Sequence, residues 1–124
     1  MLSIVSAEGY FVRVNPAWEA TLGYTPQELM AHPFLHFVHP DDQAATLMES
    51  ERLAQGEETH GFENRYRCKD GSWKWLRWQV TPTPDGSMLY AAAHDVTEQR
   101  EAREPLRGAR LTSIRERTML TSPA

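Results

Sequence analysis

The side chains of this chain best suited to chemistry are two histidines at 36 and 39, adjacent carboxylates at 41 and 42, and a lone thiol at 68. His36 and His39 stand at a separation that metal sites use, but no cysteine or third partner at ligand spacing completes a set. No metal is expected. Asp41 and Asp42 follow Pro40, and carboxylates in the first turn of a helix are favoured by its dipole, which accounts for both without acid–base catalysis. Cys68 reads as a small apolar residue on a strand. The sequence contains no Ser/His/Asp order, phosphate-cradling glycine loop or metalloprotease motif. No residue is therefore assigned a catalytic role, and the chain is not expected to be an enzyme.

The elements around these residues are legible from local signals. Leu2–Ser6 and Tyr10–Val14 are β-prone runs joined by a turn at Ala7-Glu8-Gly9. Asn15-Pro16 predicts a helix start, with Asn15 as cap and Gly23 as stop. Thr25 and Glu28 have the capping-box spacing of a second helix. A third helix is predicted from Pro40 to about Ala54, with Ala44, Leu47 and Met48 on one face and Gly56 closing it. Gly61–Lys69 and Ser72–Thr81 then read as a hairpin whose Asp70-Gly71 supplies a two-residue turn with positive φ. A last strand, Ser87–His94, runs into Asp95-Val96-Thr97-Glu98, which opens a charged helix at a second capping-box offset. The order β-β, three helices, β-β-β predicts an α+β domain with a five-stranded antiparallel sheet.

Composition sets the outer limits. The 124 residues are 40% hydrophobic and include four Trp, four Tyr and four Phe, enough for one domain with a true core. A net charge of −4 argues against nucleic acid as a partner. One cysteine permits no intrachain disulfide and fits a cytoplasmic location. No apolar run approaches the ~20 residues needed to span a bilayer, so no membrane contact is expected from this segment. The stretch after Glu98 alternates Glu and Arg, with Pro105 and Gly108 interrupting it. The expected division is a domain over 1–97 and a linker helix and tail over 98–124.

From about Leu2 to Arg100 the chain resembles the PAS family. The likeness is carried by Gly9, Val14-Asn15-Pro16-Ala17-Trp18, Leu22-Gly23-Tyr24-Thr25-Pro26-Gln27-Glu28-Leu29, Val38-His39-Pro40-Asp41-Asp42, Arg65-Tyr66-Arg67-Cys68-Lys69-Asp70-Gly71-Ser72 with Trp75-Leu76, and Asp95-Val96-Thr97-Glu98. The resemblance implies a curved sheet enclosing a pocket together with short helices. It also implies a helix leaving the last strand towards an effector such as a histidine kinase or a diguanylate cyclase. A sensory module of a bacterial signal-transduction protein is the implied function. A ligand-free interaction or dimerisation module is the alternative.

Strand alternation matched to that topology turns Val12, Val14, Phe62, Asn64, Tyr66, Leu76, Trp78, Val80, Leu89 and Ala91 inward, with Trp18, Leu22 and Met48 added from the helices. These are the candidate ligand-binding residues. Asn64 stands out, because a buried amide needs partners that a ligand, the backbone or Tyr66 would supply. Asp95 and Thr97 are the candidate signal relay. Trp73 and Trp75 fall on the outer face and are the candidate homodimer interface, unless the segment after Glu98 covers them. The cofactor is left unassigned. Haem is not expected, since the third helix carries no histidine. A covalent flavin is not expected either, since no Asn-Cys-Arg-type motif is present. A noncovalent flavin or a small metabolite is compatible with aromatic walls.

Overall fold

The computed structural model describes residues 1–103, and the readings placed on Pro105, Gly108 and the rest of the tail lie outside the described residues. Each predicted element is found. Strands β1 (Leu2–Ser6) and β2 (Phe11–Val14) are followed by helices α1 (Ala17–Leu22), α2 (Pro26–Met30) and α3 (Gln43–Ala54). Strands β3 (Thr59–Arg67), β4 (Trp73–Pro82) and β5 (Met88–Asp95) complete one antiparallel sheet in the order β2-β1-β5-β4-β3. Residues 97–103 are helical and form the exit helix.

Local chemistry explains most boundaries. Thr25 Oγ1 accepts from Glu28 N, and Glu28 Oε1 accepts from Thr25 N, so the predicted capping box of α2 is complete. Gly23 ends α1 at φ 91°, a left-handed conformation costly to any residue with a Cβ, and its N–H donates to Glu19 O. Asn15, by contrast, does not cap α1. Its Oδ1 accepts from Leu2 N, so the amide ties the end of β2 to the start of β1.

Three further sequence expectations are corrected. The turn between β3 and β4 occupies residues 68–72, because Arg67 pairs with Trp73. Only Gly71 has positive φ there, and Asp70 instead accepts from the backbone and hydroxyl of Ser72. Val12 points outward and is 43% exposed, whereas Phe11 is buried. The cause is a β-bulge: Ile4 pairs with Arg13 and Val5 with Phe11, so Val12 is the extra residue and parity flips across it. Met48 is 69% exposed, and Ala44 and Leu47 are exposed with it. The buried side of α3 is built on Thr46 and Leu53 instead. Of its apolar positions, Ala44, Leu47 and Met48 lie on the outer face and Leu53 on the inner one.

The core lies between the helices and the inner face of the sheet. Trp18, fully buried, meets Phe11, Tyr66 and Trp78 at ring-centroid distances of 5.0, 6.1 and 5.9 Å. Leu22, Leu29, Phe37, Val38 and Leu76 fill the remaining space. Such aromatic pairs add to the burial of their area when the rings meet at offset or tilted angles.

Candidate functional site

Between α3 and the strands the packing leaves a cavity of about 60 Å³. Of the thirteen candidate ligand residues, Phe62, Asn64, Tyr66, Trp78, Val80, Leu89 and Ala91 line it. Trp18, Leu22 and Leu76 are buried in the core but are not part of the lining, and Val14 is half-buried at its margin. Val12 and Met48 face solvent. Alternation could not have found Phe11, Thr46, Glu49, Ser50 and Thr59, which also line the cavity. Thr46, Glu49 and Ser50 come from the inner side of α3, where Leu53 is the one apolar residue of the lining, and a hydrophobic pattern gives no sign of them.

The polar groups of the wall are largely satisfied by one another. Trp78 Nε1 donates to Asn64 Oδ1 at 2.7 Å, and Asn64 Nδ2 donates to Thr46 Oγ1 at 3.1 Å. Thr46 Oγ1 in turn donates to Asp42 O at 2.7 Å. Thr59 Oγ1 donates to Glu49 Oε2, which also receives Arg52 Nη1. The partners of Asn64 are thus two side chains from other elements. Tyr66, 1% exposed, makes no side-chain hydrogen bond among the described residues. Burial pushes its phenol far above the usual range, so it stays a protonated donor at any ordinary pH.

Beside the cavity, Asp42 binds Arg65 through the backbone amide at 2.8 Å, Nε at 2.9 Å and Nη2 at 2.8 Å. The Arg65 guanidinium holds the Asp42 carboxyl below the usual aspartate range. Asp42, predicted as a helix-dipole residue, is foremost an anchor for β3. Arg65 also lies over the Trp75 ring at 4.8 Å, and Arg100 of the exit helix covers the ring at 3.6 Å. Trp75 is half-buried, with these two guanidinium groups against its ring. Trp73 remains 39% exposed with His39 against it at 4.5 Å.

At the end of β5, Asp95 Oδ1 accepts from the amide and hydroxyl of Thr97. Trp75 N donates to Thr97 Oγ1 at 2.9 Å, and Val96 N donates to Trp75 O. Burial opposes the charge on Asp95, but the Thr97 hydrogen bonds and Lys74 prevail and hold its carboxyl below the usual range. Asp95, the last residue of β5, thus bonds Thr97 at the start of the exit helix, and not Glu98.

The family model described as PAS fold matches residues 11–91. The chain belongs to the PAS family. PAS domains are sensory domains of signalling proteins, and the relatives of this one include such a protein. It is 27% identical over 108 residues to the sensor histidine kinase TmoS of Ectopseudomonas mendocina, covering 83% of this chain and 11% of that protein. It is 32% identical over 83 residues to the Protein cycle of Drosophila melanogaster, covering 64% of this chain and 20% of that one. The chain thus spans a fifth or less of the length of these two relatives. The Drosophila melanogaster Cycle PAS-B structure with bound ethylene glycol superposes with a TM-score of 0.68 at 25% identity, over 76% of this chain and 97% of that one. Among the described residues of this PAS domain no helix is long and apolar enough to cross a membrane, and no group of three or more His, Cys, Asp or Glu side chains is arranged to hold a metal ion.

Proposed function

We propose that residues 1–97 are a sensory unit that binds a small uncharged molecule and passes its occupancy through Asp95 and Thr97 to an effector in the same parent protein. Residues 98–124 are read as the connecting linker. The observation that carries this reading is the cavity between α3 and the sheet, with its apolar wall and the Tyr66 phenol in that wall, for which no hydrogen-bond partner is found among the described residues. Its size limits the ligand. A cavity of about 60 Å³ is under half the roughly 150 Å³ that admits one benzene ring, so it suits a molecule of a few heavy atoms with an acceptor group. A flavin's three fused rings do not fit without rearrangement. A two-carbon diol bound to the Cycle PAS-B domain is of the right scale. The effector is read as a histidine kinase, by likeness to TmoS, or a diguanylate cyclase, and the location as cytoplasmic.

Titrating the 124-residue chain with ethylene glycol, followed by amide and indole NMR, tests this. Saturable shifts confined to Trp78, Asn64, Tyr66 and their neighbours are expected, and they should vanish in Ala91→Val, whose two extra carbons occupy the cavity. An absence of saturation, together with a more stable Ala91→Val, would favour the ligand-free interaction module instead.

Homodimerisation through the outer face of the sheet is part of the same reading, but its centre moves. Trp75 is covered by Arg100, whereas Leu2, Ile4, Tyr90 and Ala92 form a neighbouring apolar strip across β1 and β5, with Leu2 and Tyr90 exposed. Sedimentation equilibrium should show a weak dimer that Tyr90→Asp abolishes and Trp73→Ser/Trp75→Ser weakens less. A concentration-independent monomer in the wild type would end this part of the proposal.

A further inference from the structure

One unbroken series of contacts runs from the cavity to the exit helix. It starts at Trp78 and Asn64 in the cavity wall and crosses to α3 through the Thr46 hydroxyl, which donates to the carbonyl of Asp42. The Asp42 carboxylate then fixes the Arg65 amide and guanidinium. Arg65 reaches the Trp75 ring, whose other contact is Arg100, itself held by Glu63 Oε1 at 2.9 Å. The Trp75 backbone also grips Val96 and Thr97 at the helix start. Arg65 on the cavity side and the start of the exit helix therefore meet at Trp75, and each link between the cavity and that ring is a hydrogen bond, an ion pair or a cation–π contact.

We propose that this thread is the coupling device of the domain, with the exit helix as its two-state element, docked on Trp75 through Arg100 or released from it. The proposal rests on the reading of the exit helix as output and goes beyond it by naming Thr46, Asp42, Arg65, Trp75 and Arg100 as positioning residues. A ligand that engages Asn64 competes with Thr46 for its amide. Losing that bond frees the first turn of α3, and Asp42 no longer holds Arg65 in one place. The Trp75 ring then loses its backing, and Arg100 loses a cation–π partner of fixed orientation. Occupancy of the cavity releases the helix. Energetic coupling of this kind runs through discrete packed and hydrogen-bonded arrangements, and its proof is a measured coupling rather than proximity.

Hydrogen exchange at the Arg100 amide, which bonds to Val96 O at 3.0 Å, reads helix release without any ligand. Thr46→Val keeps the side-chain shape and removes the hydroxyl link. It is expected to speed exchange at Arg100 roughly two- to thirtyfold, the range typical of mutations along a coupling network. Arg65→Lys, which keeps the charge but loses the planar fork, is expected to do the same. Leu53 also lines the cavity but contributes no bond to the thread, so Leu53→Ala weakens the packing of the same helix and should leave Arg100 exchange at the wild-type rate. Equal acceleration by Leu53→Ala overturns the proposal, since general loosening of α3 would then suffice. Acceleration by Arg65→Lys with Thr46→Val silent overturns it too, by confining the effect to the Arg–Trp end. The ethylene glycol titration can succeed or fail independently of this result.

Discussion

Replacing Trp18 by Ala is expected to remove a large share of the stability of the domain. Trp18 is fully buried, its rings meet three other aromatic side chains, and its Nε1 donates to Leu2 O at 3.0 Å. Truncating a buried tryptophan costs about 3–5 kcal/mol, against a total stability of roughly 5–15 kcal/mol for a domain. At roughly 4–8 °C per kcal/mol for a domain near this size, the melting temperature should fall by roughly 12–40 °C. Trp18→Phe, which keeps a ring but loses the indole donor, should recover about half of the loss. Calorimetry of the three proteins measures both steps. A Trp18→Ala cost below about 1.5 kcal/mol would mean that the aromatic cluster is not the centre of the core.

The second large effect concerns Asp42. Asp42→Asn leaves the size unchanged but removes the charge that receives three hydrogen bonds from Arg65. Both side chains are largely covered, so the loss at pH 7 should be about 2–3 kcal/mol, between the values for exposed and buried pairs. The folded-state pKa of Asp42 is depressed, so the contribution is complete above the unfolded value of about 3.9 and is lost as pH falls through the folded value. Urea midpoints of wild type and Asp42→Asn should therefore differ most at neutral pH and converge below pH 4. The comparison must be made as a difference. Hydrogen bonds hold Asp85 at about 2, and partners also lower Glu28 and Asp70, so the wild type loses stability in acid for several reasons at once. A gap that stays constant from pH 7 to pH 3 would show that the ion pair does not stabilise the fold.

What the sequence disclosed and what it withheld follow the range of the forces involved. Thr25 and Glu28, three apart, specify their own capping box, and Gly23 specifies its own helix stop. Alternation on β3, β4 and β5 placed Asn64, Tyr66, Trp78, Val80 and Ala91 on the inner face, since each strand there keeps its parity between bulges. Val12 escaped because one inserted residue reverses parity, and nothing in Phe11–Val14 announces it. Met48 escaped because α3 turns Ala44, Leu47 and Met48 outward and buries Thr46 together with Leu53. That inversion makes sense only once Asn64, eighteen residues further on, is in place to bond Thr46. The Arg65 and Arg100 cover over Trp75 is likewise a tertiary product, assembled from three elements.

The placement of β1 beside β5 has a consequence for how the molecule assembles. The middle of the sheet joins the two ends of the domain: the Met1 amino group donates to Ala93 O across 92 residues, and Leu2 to Ser6 pair with Ala92 to Met88. The β3–β4–β5 meander can form from neighbouring sequence, but β1 has no partner in the sheet centre until β5 has been made. Loop-closure entropy for that pairing must be met before its contacts stabilise anything, which slows folding relative to a helical domain of similar size. On the ribosome, the N-terminal hairpin would wait through synthesis of nearly the whole domain, and a cavity wall that includes Val5 and Ala91 would close only at the final step.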